Sequence, residues 1–423
     1  MAYDFYITKE EKSYLRNLAT KYMEYANLPI MDERKKLWYR HNALKGERPV
    51  IVMEMDTFER DMLPESKCQS PSAKTIEKTL IRHVINFELI HDDKVMPPYY
   101  PVDWQIYIKP FGLDFVKDRA ADSEGRTIGY KVHYPVKDLK NDRQLIGPSV
   151  YGVDQEYTMA WMEFVEETLD GIMQVRLTNS SLEWHIAPSS KVVNLMGLEN
   201  MMYSIMDYPD EMHELMNFIK DDLIAYVKWQ EQEGLLILNN GDDYAGAGSY
   251  GFTDELPTDE CRRTGIVKSK DLWVNMNSQE TLGISPQSFG EFIYPYYYEL
   301  AKEFGMVYFG CCEPVHPIWE DYVSKLPGLR KVSVSPWCDE NYMGKALKGS
   351  KVIYSRKPSP NFIGVGSVFD EVSFAEHISN TLRAASGCHL EFIFRDVYSL
   401  SGDRTKPGRA VDITRKLIDK IWQ

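Results

Sequence analysis

From residue 150 onward one order recurs: an amphipathic helix, a short apolar strand, a polar loop. "TMAWMEFVEETLDGI" leads to "MQVRLT". The helical hairpin within 195–234 leads to "LLILNN". "SPQSFGEFIYPYYYELAKEFG" leads to "MVYFGC", "PVHPIWEDYVSKLPG" to "RKVSVSPW", "DENYMGKALKG" to "SKVIYSRK", and "FAEHISNTLRAASG" to "HLEFIFRD". Strands separated by helices run parallel, because the chain must return along the other side of the sheet before pairing again. This alternation is the strongest constraint on the fold. The number of units predicts a (β/α)8 barrel rather than an open doubly wound sheet.

Two further stretches fit the same plan. Residues 1–48 carry apolar residues at helical spacing and form an N-terminal helical extension. "RPVIVMEM" then reads as a first buried strand over 48–55. "DWQIYIKPFGLDFVK" and "TIGYKVHYPVK" read as strands of an insertion near 100–150, joined by the charged turn "DRAADSEGRT". Within the hairpin, Asp210 is the expected helix cap after Pro209. The 423 residues are read as one domain.

Composition narrows the function class. A hydrophobic share of 43% and a charged share of 26% are those of a globular chain. The formal net charge of -14 argues against a nucleic-acid or anionic-membrane surface. No window approaches the ~18 apolar residues of a membrane span. The start "MAYDFYITKEEKSYL" lacks the apolar run of a secretory signal, so a cytoplasmic location is expected. No GxGxxG or GxxxxGK[ST] follows any strand.

In a parallel α/β fold the site lies where strands end. Glu54 and Asp56 close the first strand, and Asp242, Asp243 and Tyr244 follow "LLILNN". Cys311, Cys312, Glu313 and His316 follow "MVYFG". Trp337, Cys338 and Asp339 follow "RKVSVSP", and Arg356 and Lys357 close "SKVIYS". Gln279 and Glu280 stand ahead of a helix, and the run before "HLEFIF" ends in Cys388-His389. Thiols from different strands can converge on zinc, which prefers thiolate and imidazole, although no CxxC or HExxH spacing is present. Buried thiols acting as small apolar groups are the competing account. Paired carboxylates such as Asp242-Asp243 can hold protons or bind a cation. His133 and His185 are expected to be structural, and His316, followed by Pro317, has helix capping as a rival role.

The succession "NNGDDYAGAG", "SPQSFGEFIYPYYYELAKEFG", "MVYFGCCEPVHPI", "VSVSPWCD" and "RKPSP" resembles the uroporphyrinogen decarboxylase superfamily, in its corrinoid-dependent methyltransferase branch. The resemblance covers roughly residues 130–420 and implies a (β/α)8 barrel. It implies a zinc ion held by a His-x-Cys and a distant Cys, which fall on Cys312 and Cys388. The histidine position is Gly310, leaving Cys311, Glu313 or His316 to complete the shell.

The function implied is methyl transfer between a small methylated donor (a methoxylated aromatic, methanol or a methylamine) and a corrinoid carried by a separate protein. Asp242, Asp243, Glu280 and His316 are then the catalytic candidates. Glu54, Gln279, Tyr244 and Trp337 are the candidates for binding substrate. The alternatives are a metal-free lyase, with Arg356 and Lys357 receiving carboxylates, or a non-catalytic binding protein. A homodimer is left open.

Overall fold

The computed structural model describes residues 3–121 and 127–422. Eight strands carry the parallel framework. They are β1 (Val50–Met53), β2 (Tyr99–Asp103), β3 (Gln174–Thr178), β4 (Trp273–Met276), β5 (Met306–Phe309), β6 (Leu329–Val334), β7 (Ile353–Arg356) and β8 (Leu390–Phe394). Six form one parallel sheet in the order β1-β8-β7-β6-β5-β4, while β2 and β3 pair parallel separately. The expected mixed α/β architecture with a parallel sheet is therefore present. Hydrogen bonds among the described strands do not close it into a ring.

The sheet is open in two places, between β1 and β2 and at "LLILNN", which was expected to be a strand. Residues 235–240 make no ladder. Side-chain amides take its place. Asn239 donates from Nδ2 to the Trp273 carbonyl (3.0 Å) and accepts at Oδ1 from the Trp273 amide (2.8 Å). Asn179 donates to the Leu235 carbonyl beyond β3 (2.8 Å). The segment thus bridges β3 and β4 while its backbone stays free to bend into the loop that follows.

The strands look uniformly apolar but alternate. Val274, Met276, Val307, Phe309, Val332, Val334, Tyr354, Phe392 and Phe394 join the main apolar core. Their neighbours Asn275, Tyr308, Lys331, Ser333, Ser355 and Glu391 are as deeply buried, on the opposite face. That second face is a polar interior. Lys331 and Glu391 are both fully buried and 3.2 Å apart, and Glu391 also takes hydrogen bonds from His41 (3.1 Å) and Ser249 (2.9 Å). Burial pushes His41 below its usual value, so it is neutral here and donates through Nε2.

The N-terminal helices complete this interior. In α1 (Lys9–Ala26), Thr8 and Glu11 form a capping box. The next helix, α2 (Pro29–Asn42), sends Trp38 and His41 inward. Trp38 bonds the Asp93 carbonyl, and its ring lies 5.3 Å from the Lys331 ammonium. A second apolar cluster joins α1, α3 (Pro71–Leu89) and α4 (Gln155–Leu169).

Other expectations need correcting. "PVHPIWEDYVSKLPG" is not a helix but two short 3₁₀ turns, His316–Ile318 and Val323–Lys325. Asp210 does not cap α5 (Pro209–Gln232). Tyr208 holds the cap position and Asp210 lies in the first turn. The insertion contains the pairs Ile106–Lys109 with Val150–Val153 and Val116–Ala121 with Thr127–His133, and part of its charged turn lies outside the described residues. Among the described residues no helix is long and apolar enough to cross a membrane.

Candidate functional site

Parallel strands deliver their following residues to one end of the sheet. Glu54 follows β1, Cys311 and Cys312 follow β5, Lys357 follows β7, and Arg395 and Asp396 follow β8. Asp242, Asp243 and Tyr244 come from the loop beyond the bridging segment. Hydrogen bonds and ion pairs join them in a row. The Tyr244 hydroxyl donates to Glu54 (3.1 Å), Glu54 pairs with Arg395 (3.2 Å), Arg395 with Asp396 (3.3 Å), and Cys312 approaches Asp396 at 3.5 Å. Arg395 also lies over the Trp184 ring at 5.1 Å, and its Nη1 is buried with no hydrogen-bond partner among the described residues.

At one end of the row is a cavity of about 260 Å³. Tyr99, Tyr244, Asn239, Asn275 and the carboxylates Asp103, Glu183, Asp242 and Asp243 line it. Burial and the Asp242 charge beside it push the Asp243 carboxyl up to about 6. Burial likewise raises Asp242, against the pull of Arg176. Glu183 is pushed the same way, but it is exposed at the lip, where water screens such effects. Asp243, half-buried, is therefore the group best placed to hold a proton near neutral pH.

At the other end is the thiol pair. Cys311 Sγ and Cys312 Sγ lie 3.5 Å apart. The contact with Cys312, aided by nearby Arg395, lowers Cys311 against the effect of burial, while the same contact and burial raise Cys312. The two thiols thus titrate as a pair in which Cys311 loses its proton first. Iodoacetamide is expected to alkylate Cys311 ahead of Cys312 as pH rises. Cys312→Ala is expected to slow the reaction at Cys311 about tenfold, the loss of one charge-assisted hydrogen bond. Mass spectrometry of the alkylated peptide would read this, and an unchanged rate would show that Cys312 does not activate its neighbour.

The expected ligand pair Cys312 and Cys388 is not brought together. Cys388 stands before β8, at the opposite end of the parallel sheet, and its thiol faces the Gly344 carbonyl in α6 (Glu340–Leu347) at 3.3 Å. The five residues of β8 alone separate the two ends by roughly 13 Å. The residue from β8 that does meet Cys312 is Asp396. Glu313 is buried and already bonded to the amides of Ser278 and Cys311, both at 2.8 Å, so it braces two loops. His316 accepts from the Asp339 amide (3.3 Å) at the start of α6, a positioning contact. Among the described residues no group of three or more His, Cys, Asp or Glu side chains is arranged to hold a metal ion. The zinc shell drawn from the resemblance therefore does not fit these residues. Gly310 has φ +95°, a backbone conformation that a histidine adopts only under strain, which accounts for glycine at that position.

Other candidates also fall outside the row and the cavity. Glu280 accepts from Ser189 (2.8 Å) against a helix start, Gln279 is exposed, and Trp337 is 73% exposed. Arg356 is consumed by the carbonyls of Val334 and Ser335 and by Glu340. Lys357 is buried against Tyr308 and Ser355, and burial pulls it down to about 7. His133 pairs with Asp118 and His185 packs on Tyr226, as structural histidines do.

The residues not anticipated are Arg395, Asp396, Glu183, Tyr99 and Asn275. "RD" after "HLEFIF" was a readable signal, since it stands at the end of a strand, where Cys388 stands before it. Asp396 and Trp184 both hold positive φ, +59° and +58°.

No protein-family model matches the chain, and no curated protein matches it. Among solved structures, a methyltransferase from Methanosarcina mazei aligns over 92% of this chain and 98% of its own, with a TM-score of 0.49 and 13% identity. Similarity at that level establishes neither a shared fold nor a shared activity.

Proposed function

We propose that this protein is an enzyme that transfers a methyl group between a small methylated substrate and a corrinoid borne by a separate protein. The observation that carries the reading is the site itself. A cavity able to hold a proton and a pair of adjacent thiols stand at one end of the parallel sheet, joined through Tyr244, Glu54 and Arg395. The residues that resemble the corrinoid-dependent methyltransferase branch add support. In this reading the two parallel sheets and the bridging segment 235–240 are arcs of one (β/α) barrel, with the site at its mouth.

Methyl transfer is a displacement at carbon. The bond from carbon to oxygen or nitrogen breaks as the bond to the acceptor forms, and the departing heteroatom keeps the electron pair. That atom leaves readily only if it carries a proton. Asp243 is the group that delivers the proton or holds it there, and Asp242 beside it keeps Asp243 protonated nearer to neutral pH. A cavity of about 260 Å³ takes a small molecule and not a macrocycle, so a corrinoid would meet the substrate at the opening. When presented there, it would supply the cobalt nucleophile. No step is assigned to zinc.

The lyase alternative needs free cations for substrate carboxylates. Arg356 and Lys357 are both already bonded within the protein, which favours methyl transfer over it.

The test is anaerobic incubation with reduced cobalamin and a panel of methylated amines, alcohols and methoxylated aromatics, following the methylcobalamin spectrum. Formation that depends on one donor class, and that is lost after alkylation of the thiol pair, is the expected result. No methylcobalamin from any donor would overturn the reading.

A further inference from the structure

We infer that Cys311 and Cys312 are a redox modification site, which a peroxide closes into a reversible vicinal disulfide at the head of the row that leads to the cavity. That closure slows methyl transfer rests on the reading above. The disulfide itself stands on the thiols.

Three observations carry it. The first is contact. Cys311 Sγ and Cys312 Sγ lie 3.5 Å apart. A disulfide spans about 2.05 Å, so the sulfurs have roughly 1.5 Å to close, within reach of side-chain rotation. The other thiols have other neighbours. Cys338 lies 3.7 Å from the Ser335 hydroxyl, and Cys388 faces the Gly344 carbonyl. Cys68 is buried in the second apolar cluster, and Cys261 in the helix Asp259–Thr264.

The second is bracing and access. The Cys311 amide donates to Glu313 at 2.8 Å, and its carbonyl accepts from Ser333 Oγ at 2.6 Å. The backbone on both sides of the Cys311 side chain is thus held, which keeps the two sulfurs in contact. Cys311 is 5% exposed, but Cys312 is only half-buried, so a small oxidant reaches the pair from the Cys312 side.

The third is connection. Cys312 approaches Asp396 at 3.5 Å, Asp396 pairs with Arg395, Arg395 with Glu54, and Glu54 accepts from Tyr244 in the cavity wall. A disulfide carries neither an S–H nor a negative charge. Closing it takes the thiol donor from Asp396 and leaves no sulfur able to hold charge beside Arg395.

The chemistry balances with peroxide alone. One thiolate attacks a peroxide oxygen, and the O–O bond breaks to leave a sulfenic acid and hydroxide. The neighbouring thiol gives its proton to that hydroxide, and its sulfur attacks the sulfenic sulfur. The S–S bond forms as the S–O bond breaks. Overall two thiols become one disulfide, and hydrogen peroxide becomes two waters. The Cα atoms of adjacent residues lie about 3.8 Å apart, under the ~4.4 Å at which ordinary disulfides begin. Such a strained disulfide is readily reduced, so a dithiol restores the pair.

The full chain, reduced under anaerobic conditions, would be treated with hydrogen peroxide, quenched with iodoacetamide and digested with trypsin. The peptide 303–325 contains both cysteines and no other. It is expected to lose two hydrogens, to resist alkylation, and to recover both alkylation sites after dithiothreitol. Methylcobalamin formation is expected to fall at least about tenfold on oxidation, the worth of one hydrogen bond to a charged group, and to return with dithiothreitol. Cys311→Ser, its folding checked by thermal melt, is expected to turn oxidation of Cys312 into an irreversible gain of oxygens, because no thiol remains to resolve the sulfenic acid. A wild-type peptide that gains oxygens without losing hydrogens would overturn the inference. So would a disulfide joining either cysteine to one outside the peptide. A closed disulfide with an unchanged rate would overturn its effect on the site. Reversible closure in a protein that transfers no methyl group even when reduced would sink the methyl-transfer reading and leave the modification site standing.

Discussion

Asp243→Asn is expected to lower the rate of methyl transfer by 10²- to 10⁴-fold, the usual contribution of a positioned general acid. The same substitution is expected to make the folded protein more stable above pH 7. The sign follows from the direction of the shift. Burial and Asp242 raise the folded-state value to about 6, above the ordinary 3.8. Folding therefore favours the protonated carboxyl. The associated stability is fully present below about pH 4 and is lost as pH rises through about 6. Asparagine carries no such liability, so the variant should gain about 1–3 kcal/mol at pH 8 and little at pH 4. Urea unfolding at the two pH values reads the stability, and the methylcobalamin assay reads the rate. A variant that loses rate and stability together would mark Asp243 as structural. One that keeps its rate would remove it from the mechanism. Opposite movements of rate and stability are the signature of a group retained for chemistry at a cost to folding.

The second large effect lies in the polar interior beneath the site. Lys331→Met is expected to destabilise the fold by about 3–5 kcal/mol, because it leaves the Glu391 carboxylate buried without its cation. His41 and Ser249 still hydrogen-bond that carboxylate but do not replace the lysine's fixed charge. Adding Glu391→Leu to Lys331→Met should recover most of the loss, as an apolar pair needs no counter-charge. The pH profile also differs. Glu391 is held far below its ordinary value of 4.5, despite burial, chiefly by Lys331. Its contribution is present above about pH 4.5 and is lost as pH falls well below that. The double variant should therefore resist acid better than the wild type. Guanidinium unfolding from pH 7 down to pH 3 would check both points, and a double variant no more stable than Lys331→Met would mean that the cost comes from packing around Trp38 and Trp273 instead.

These two effects meet in the same strands. Glu391 lies within β8, and Arg395 and Asp396 leave its C-terminal end. Asn275 in β4 bonds the carbonyl of Tyr308 in β5, whose hydroxyl reaches Ser355 in β7 at 2.6 Å. The polar face of the sheet thus runs from a sealed ionic centre under Trp38 to the open cavity and the thiol pair. The ion pair and hydrogen bonds on Glu391 Oε2 at one end brace the strands whose ends carry the site at the other.

Much of this was legible in the chain. The helix-strand alternation established the parallel sheet, because the spacing of apolar residues directs local structure, and the crossover helices leave parallel pairing as the natural outcome. The rule that chemistry gathers where strands end pointed to Glu54, Asp242, Asp243, Tyr244, Cys311 and Cys312, which the structure gathers at one end of the sheet. It would also have excluded Cys388, which precedes its strand, had that rule been preferred to matching cysteines along the resemblance. The polar interior was harder to see. In "RKVSV" and "HLEFIF" the single Lys, Ser and Glu look like interruptions of apolar runs, and only pairing across strands shows that they share one face.

What sequence determined by itself was local and periodic: the helices, the short strands and the residues stationed at their ends. Tertiary structure decided the partners. It placed Asp396 rather than Cys388 beside Cys312, turned Glu313 into a brace, left Asn275 Oδ1 buried without a partner among the described residues, and replaced a ladder with the Asn239 amide. The physical reason is that a side chain's role depends on what it meets, and those meetings join residues tens to hundreds of positions apart, beyond the reach of any local pattern.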